Sequence, residues 1–297
     1  MTICNICPRN CGIERKEKAG AVGNVGICKM PREPRIARAG LHFWEEPCIS
    51  GVRGSGTVFF SGCNLHCVFC QNYKISTENQ GRAVSVEKLR AIYAKLIAQG
   101  AHNINLVTPT HYMEAILQSL ATPLSVPVVY NTGSYEKVEM LRLLEGKIQV
   151  YLPDVKYYSP ESAERYSKAA DYFKVATAAI EEMYRQVGPY KLDENGMLLS
   201  GVIIRHLILP GQIEDTKRII AWVEDRFEPG QVMFSLMHQY IPYGAAEKYP
   251  EINRKITEEE YNEAEDYLLA GSIEDGFIQE EEAADEKFIP AFDEDFL

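Results

Sequence analysis

Eight cysteines crowd into the first quarter of the chain, at positions 4, 7, 11, 28, 48, 63, 67 and 70, and the remaining 227 residues hold none. A disulfide framework belongs to short secreted domains. This chain has 297 residues, and its first 30 contain no apolar leader segment. It is long enough to bury a full core without covalent staples. The expectation is a cytoplasmic protein whose clustered thiols serve as metal ligands or redox groups.

Residues 1–50 are turn-rich, show no clear period, and read as a cysteine-rich N-terminal cap held by metal. A core over residues 51–271 follows. Residues 57–61, short, β-branched and aromatic between Gly56 and Gly62, read as a strand. Further strands are expected near 103–107, 126–131, 148–152, 202–209 and 232–240. Helical periods cover 85–99, 112–120, 135–144, 160–187 with a break near Asp171, 213–227 and 257–269. Ser85 reads as an N-cap, Thr257 with Glu260 as a capping box, and Asp193-Glu194-Asn195-Gly196 as a hairpin turn. Six strands alternating with helices imply a parallel sheet with crossover helices. Six units fall two short of a closed eight-fold barrel, which leaves an open, partial barrel or a doubly wound sheet. Both bind ligands at the C-terminal ends of their strands.

The net charge of −11 is concentrated at the end of the chain. Residues 274–297 carry ten acids and one base, leaving −2 for the first 273 residues. A near-neutral body argues against a phosphate-binding groove, so no nucleic-acid partner is expected. The eight bases and three acids of residues 1–40 read as a solvated basic segment. The most apolar stretch, 201–211, is broken by Arg205 and His206, so no membrane span is expected. The acidic C-terminal tail, 272–297, is expected to pack on the core through Phe277, Phe288, Ile289, Phe292 and Phe296.

The chemistry concentrates just after the first expected strand, in Gly62-Cys63-Asn64-Leu65-His66-Cys67-Val68-Phe69-Cys70-Gln71-Asn72. Cys63, Cys67 and Cys70 are spaced C-x3-C-x2-C in one loop. Three thiolates can hold three irons of a 4Fe–4S cubane and leave the fourth open to an outside ligand, whereas most electron-transfer clusters use four cysteines. The competing reading is a Cys3His zinc site with His66. Adjacent residues rarely reach one tetrahedral ion together, which disfavours His66 beside Cys67.

With an aromatic before its last cysteine, this loop resembles that of the radical S-adenosylmethionine superfamily. The likeness extends to Glu45-Glu46-Pro47, Gly51 with Gly54-Ser55-Gly56, and the N-terminal C-x2-C-P-x2-C. These resemble a branch of uncharacterised iron–sulfur proteins similar to pyruvate formate-lyase activating enzyme. The resemblance implies a partial (β/α)6 barrel, a 4Fe–4S cluster on Cys63, Cys67 and Cys70, and S-adenosylmethionine as cofactor. It also implies an electron donor such as flavodoxin or ferredoxin. The family's reduced cluster gives one electron to the sulfonium, and the resulting 5′-deoxyadenosyl radical takes a hydrogen atom from substrate.

Residue by residue, the resemblance places Phe69 against adenine. Asn131 and Thr132 stand where activating enzymes carry Asp-Thr beside the methionine carboxylate and a small cation. Asp154 and Lys156 match an Asp-x-Lys by the cofactor. Arg205, within an apolar strand, needs a carboxylate partner such as the cofactor or Asp154. In place of the family's Gly-Gly-Glu-Pro the chain has Val107-Thr108-Pro109-Thr110-His111, so Thr108 or His111 would replace the missing acid. Gln239 and Tyr240 stand where relatives have a histidine.

Cys4, Cys7, Cys11 and Cys28 form a second candidate site, suited to structural zinc or a closed cluster. Cys48, His42, His102 and His238 read as structural. The expected activity is an oxidoreductase of the activating-enzyme kind, abstracting a glycyl hydrogen from a partner glycyl-radical enzyme. The alternatives are radical modification of a small molecule or peptide, and a non-catalytic zinc-binding adaptor.

Overall fold

The computed structural model describes residues 3–18, 25–279 and 292. Ten strands are present among them: β1 (Arg35–His42), β2 (Ser55–Phe60), β3 (Arg82–Ala83), β4 (Ile104–Val107), β5 (Val128–Thr132), β6 (Val150–Pro153), β7 (Lys191–Leu192), β8 (Leu198–Leu207), β9 (Met233–Met237) and β10 (Gly276–Ile278). They lie in the order β10-β9-β8-β6-β5-β4-β2-β1-β3, with β7 paired to β8. The six expected strands are β2, β4, β5, β6, β8 and β9, each parallel to its neighbour. Helices link them in turn, so the fold is a partial barrel with its two ends left unpaired to each other.

Local signals set the boundaries. Helix Val86–Ala98 starts at Ser85, whose hydroxyl accepts from the Lys88 N–H at 3.2 Å. Helix Glu258–Leu269 carries the full capping box of Thr257 and Glu260. The expected break near Asp171 is real: helix Pro160–Ser167 ends at Lys168 in the left-handed region, and helix Tyr172–Val187 begins afresh. Between the sheet and its helices lies the main core, with Val58, Phe60, Ile104, Tyr130 and Ile204 all buried.

Three strands depart from the sequence reading, among them the two-residue β3, which pairs with the start of β1. β1, in a segment without clear period, runs antiparallel to β2 from Ile36↔Phe60 to His42↔Ser55. Its residues are mostly half-buried, so no strong alternation marks it. β10 adds a seventh parallel strand beside β9, but three residues are too short to show a period. Phe277, in β10, packs against the cluster of Ile49, Val150, Ile203 and Met233, and Phe292 packs on Phe59 at 5.6 Å between ring centroids. Phe288, Ile289 and Phe296 lie outside the described residues.

The tops of β4 and β5 are tied by one buried carboxyl. Glu136 accepts hydrogen bonds from the hydroxyls of Thr110, Thr132 and Tyr130. Burial pushes it up from 4.5 to about 7, against the pull of those hydroxyls. The folded protein therefore holds a proton there that the unfolded chain releases near pH 4.5. This contribution to stability is full below pH 4.5 and is lost as pH rises through about 7. The loss is on the order of 3 kcal/mol at about 1.4 kcal/mol per pH unit. In Glu136→Gln, denaturant unfolding across pH 4–8 should show this slope removed. Separately, Ile204→Ala, fully buried on β8, should lower stability by about 2–5 kcal/mol in the same assay.

Candidate active site

The cysteine loop leaves the C-terminal end of β2 through Gly62, at φ +82. A side chain there would meet Met30 Cγ at 2.3 Å and the Cys28 carbonyl oxygen at 2.8 Å, so only glycine fits both the angle and the space. The loop is pinned by Asn64, whose amide donates to the Tyr135 carbonyl at 2.6 Å. Each of the three sulfurs accepts one hydrogen bond. Leu65 N–H donates to Cys63 Sγ at 3.3 Å, Ser167 Oγ to Cys67 Sγ at 3.1 Å, and Ser76 Oγ to Cys70 Sγ at 3.4 Å. Such donors favour thiolates, and hydrogen bonds to sulfur help set a cluster's potential.

His66 turns away from these sulfurs. Its Nε2 bonds the Ile27 carbonyl at 2.7 Å and its Nδ1 faces Thr77 Oγ1 at 3.3 Å. Neither ring nitrogen is left for a zinc ion. Among the described residues, no three His, Cys, Asp or Glu side chains converge on a single-ion position. A cubane gives each thiolate its own iron, and three sulfurs in one loop, each with a donor, fit that demand.

A cavity of 620 Å³ opens over the loop. Cys63, Cys67, Phe69 and Cys70 line it together with Asn131, Thr132, Asp154, Lys156 and Arg205. The nine positions picked from the sequence for the cluster and cofactor thus come from the tops of β2, β5, β6 and β8 into one space. Phe69 is buried, with edge contacts to Tyr157, Tyr166 and Tyr240. Lys156 Nζ pairs with Asp154 at 2.9 Å.

Arg205 is the hub of the floor. Its guanidinium donates to Asp154 Oδ1 at 2.7 Å, Glu45 Oε2 at 2.8 Å and Asn131 Oδ1 at 2.7 Å, with Glu46 at 3.7 Å. Asn105 and Asn131 donate to the other Glu45 oxygen at 3.0 and 3.3 Å. Burial alone would raise the Asp154 carboxyl, but Arg205 and Lys156 outweigh it and hold it below its usual range. Burial keeps Glu46 above its usual range against the pull of Arg205. Glu45 and Glu46 belong to a motif to which the sequence alone assigns no role. Only the need of Arg205 for counter-charge could have pointed to them.

Thr108 and His111 separate clearly. Thr108 lines the cavity with φ +58, a strained conformation for a β-branched residue. His111 lies behind the loop, its Nε2 donating to the Ser61 carbonyl at 2.8 Å, and burial drives its ring down to about 3. Gln239 lines the cavity, while Tyr240 is buried against Phe69 and donates to the Ile252 carbonyl at 2.7 Å. His42, read from sequence as structural, stands on the cavity wall with Phe43 and Trp44.

The other cysteine set lies outside this cavity. Cys28 and Cys11 are electrostatic neighbours of Cys7, and Cys4 and Cys11 are neighbours of Cys28. No helix among the described residues is long and apolar enough to cross a membrane.

"Uncharacterized protein MJ0674" of Methanocaldococcus jannaschii is 31% identical over 280 residues, covering 88% of this chain and 72% of that protein. Among solved structures, Streptococcus suis SuiB bound to S-adenosylmethionine superposes with a TM-score of 0.50 at 11% identity, over 74% of this chain and 48% of SuiB. The chain spans about half the length of SuiB, and this likeness shows the fold. A mutant of spore photoproduct lyase with dinucleoside spore photoproduct gives a TM-score of 0.48 at 15% identity, over 73% of each chain. The sequence profile of the radical SAM superfamily matches residues 57–223, from β2 through the helix after β8. The chain therefore belongs to the radical SAM superfamily, whose cofactors are a 4Fe–4S cluster and S-adenosylmethionine.

Proposed function

We propose that this enzyme directs its radical at the backbone of a partner protein, abstracting a glycyl hydrogen as activating enzymes do. The observation that carries this reading is the shape of the cavity. Its walls include His42 at the end of β1, Phe43 and Trp44 just after it, and Ile278 and Gln279 at β10, the strand at one end of the sheet. A mouth between the segment after β1 and the β10 edge admits an extended segment from the side. Phe43 and Trp44 are exposed there, and Gln71, Asn72, Gln239 and Gln279 offer groups that pair with amides. Radical modification of a peptide or small molecule uses the same cavity and is the second reading, favoured by the charged floor of Glu45 and Arg205.

Within this proposal Cys63, Cys67 and Cys70 would hold the cluster, which would supply an electron to the cofactor's sulfonium. Phe69 would lie by adenine. Asn131, Thr132, Asp154 and Lys156 would receive the methionine end, and Arg205 holds the floor in shape.

Two measurements check this. Lys156→Met should weaken S-adenosylmethionine binding at least tenfold by equilibrium dialysis, while iron content stays at about four per loop cluster. Arg205→Met should lower stability by about 3–5 kcal/mol, because it leaves Glu45 and Glu46 buried without this counter-charge and Asp154 with Lys156 alone. For the substrate, electron paramagnetic resonance after turnover with candidate partner proteins should show a persistent glycine-centred doublet on the partner. A modified metabolite or peptide with no protein radical hands the function to the second reading.

A further inference from the structure

The three loop sulfurs differ in where their hydrogen bonds originate. Cys63 Sγ takes its donor from Leu65, two residues on, and Cys70 Sγ from Ser76, six residues on. Both donors belong to the loop and to the short helix Tyr73–Ser76 that follows it. Cys67 Sγ is met instead from a distant part of the chain, by the Ser167 hydroxyl 100 residues later. At 3.1 Å this is the shortest of the three contacts.

Ser167 is the last residue of helix Pro160–Ser167, and the chain leaves it through Lys168 in the left-handed region. That helix end is docked onto the cysteine loop. The Val68 N–H donates to the Tyr166 carbonyl at 3.0 Å. Arg9 donates to the Ser167 carbonyl at 2.6 Å and to the Lys168 carbonyl, and also to the loop carbonyls of Asn64 at 2.7 Å and Leu65 at 3.3 Å. One guanidinium therefore fastens both sides of the contact, and it places positive charge where a helix end is negative.

Behind Ser167 stands Tyr157, its hydroxyl 2.7 Å from Ser167 Oγ. Its ring packs edge-on against Phe69 at 6.1 Å and Tyr172 at 5.3 Å between centroids. Cys67, Ser167 and Tyr157 are all buried. A thiolate that holds iron has no proton, so in the loaded site the Ser167 O–H is the donor to sulfur. The Ser167 oxygen is then left to accept from the Tyr157 O–H. Two buried hydroxyls thus direct their protons in series at one sulfur, an arrangement in which each bond polarises the next.

We propose that Ser167, polarised by Tyr157, sets the reduction potential of the loop cluster through Cys67. Reduction adds negative charge that the thiolate sulfurs share, so a donor held at one of them favours the reduced form. Both are positioning residues that act through Cys67. The inference rests on the family's cluster being held by Cys63, Cys67 and Cys70, and it is independent of which molecule receives the radical.

The test is a redox titration of the full chain, reconstituted anaerobically with iron and sulfide. It is read by electron paramagnetic resonance of the reduced signal that S-adenosylmethionine shifts, which singles out the loop cluster. Ser167→Ala should move the one-electron equilibrium about tenfold toward the oxidised form, a drop of about 59 mV. Tyr157→Phe, which keeps the ring, should lower the potential by less. Added to Ser167→Ala, it should change nothing further, because the hydroxyl it acts through is gone. Iron content should match wild type in every variant. An unchanged potential in Ser167→Ala overturns the proposal. If that variant loses its iron, Tyr157→Phe carries the test, and an unchanged potential there overturns it. A double variant whose potential falls by the sum of the two single drops overturns the series arrangement.

Discussion

A guanidinium buried inside an apolar strand must be surrounded by counter-charge, and much of the active-site architecture follows from that demand. Arg205 sits on β8 among Ile203, Ile204 and Leu207. Its partners come from β5, from β6 and from a segment 160 residues earlier in the chain. Breaking such an arrangement is more damaging than never having built it, because each orphaned charge stays buried. The network thereby locks the tops of three parallel strands and the Glu45 turn into one register. That register carries Asn131, Asp154 and Lys156 into the same cavity as the cysteine loop.

The sequence disclosed the parts whose signals are local. Helix starts at Ser85 and Thr257, the break before Tyr172 and the six parallel strands were legible because capping and periodicity act within a few residues. The three-cysteine loop was legible because the missing fourth thiol is itself a chemical statement. The need of Arg205 for a carboxylate is readable from the apolar strand around it, with Asp154 as a candidate partner. Glu45 and Glu46 as its further partners were not legible, since that contact is made by tertiary packing alone. Thr108 and His111 could not be told apart from spacing. One takes a left-handed turn into the cavity, and the other is drawn behind the loop by the Ser61 carbonyl. β1 and β10 leave no pattern in the sequence, the one because most of its residues are half-buried and the other because it has three residues.

The cap and the barrel are joined through backbone carbonyls as well as through apolar contact of Ile6, Cys28 and Met30 with the main core. Arg9, Arg15 and His66 bond main-chain oxygens across the junction, so the fit depends on the path of the chain. Hydrogen bonds from charged donors to buried carbonyls are among the stronger ones in proteins. A loop held this way keeps its sulfurs in place before any iron arrives, which is how a pre-ordered site limits the entropy lost on loading.

The central claim is that the loop of Cys63, Cys67 and Cys70 is where S-adenosylmethionine is reductively cleaved. Its most direct test is chromatographic assay of 5′-deoxyadenosine, using anaerobically reconstituted protein with dithionite and S-adenosylmethionine. The account predicts that wild type releases 5′-deoxyadenosine and that replacing the three loop cysteines by Ala abolishes it. Release at the wild-type rate by the triple variant would contradict the account.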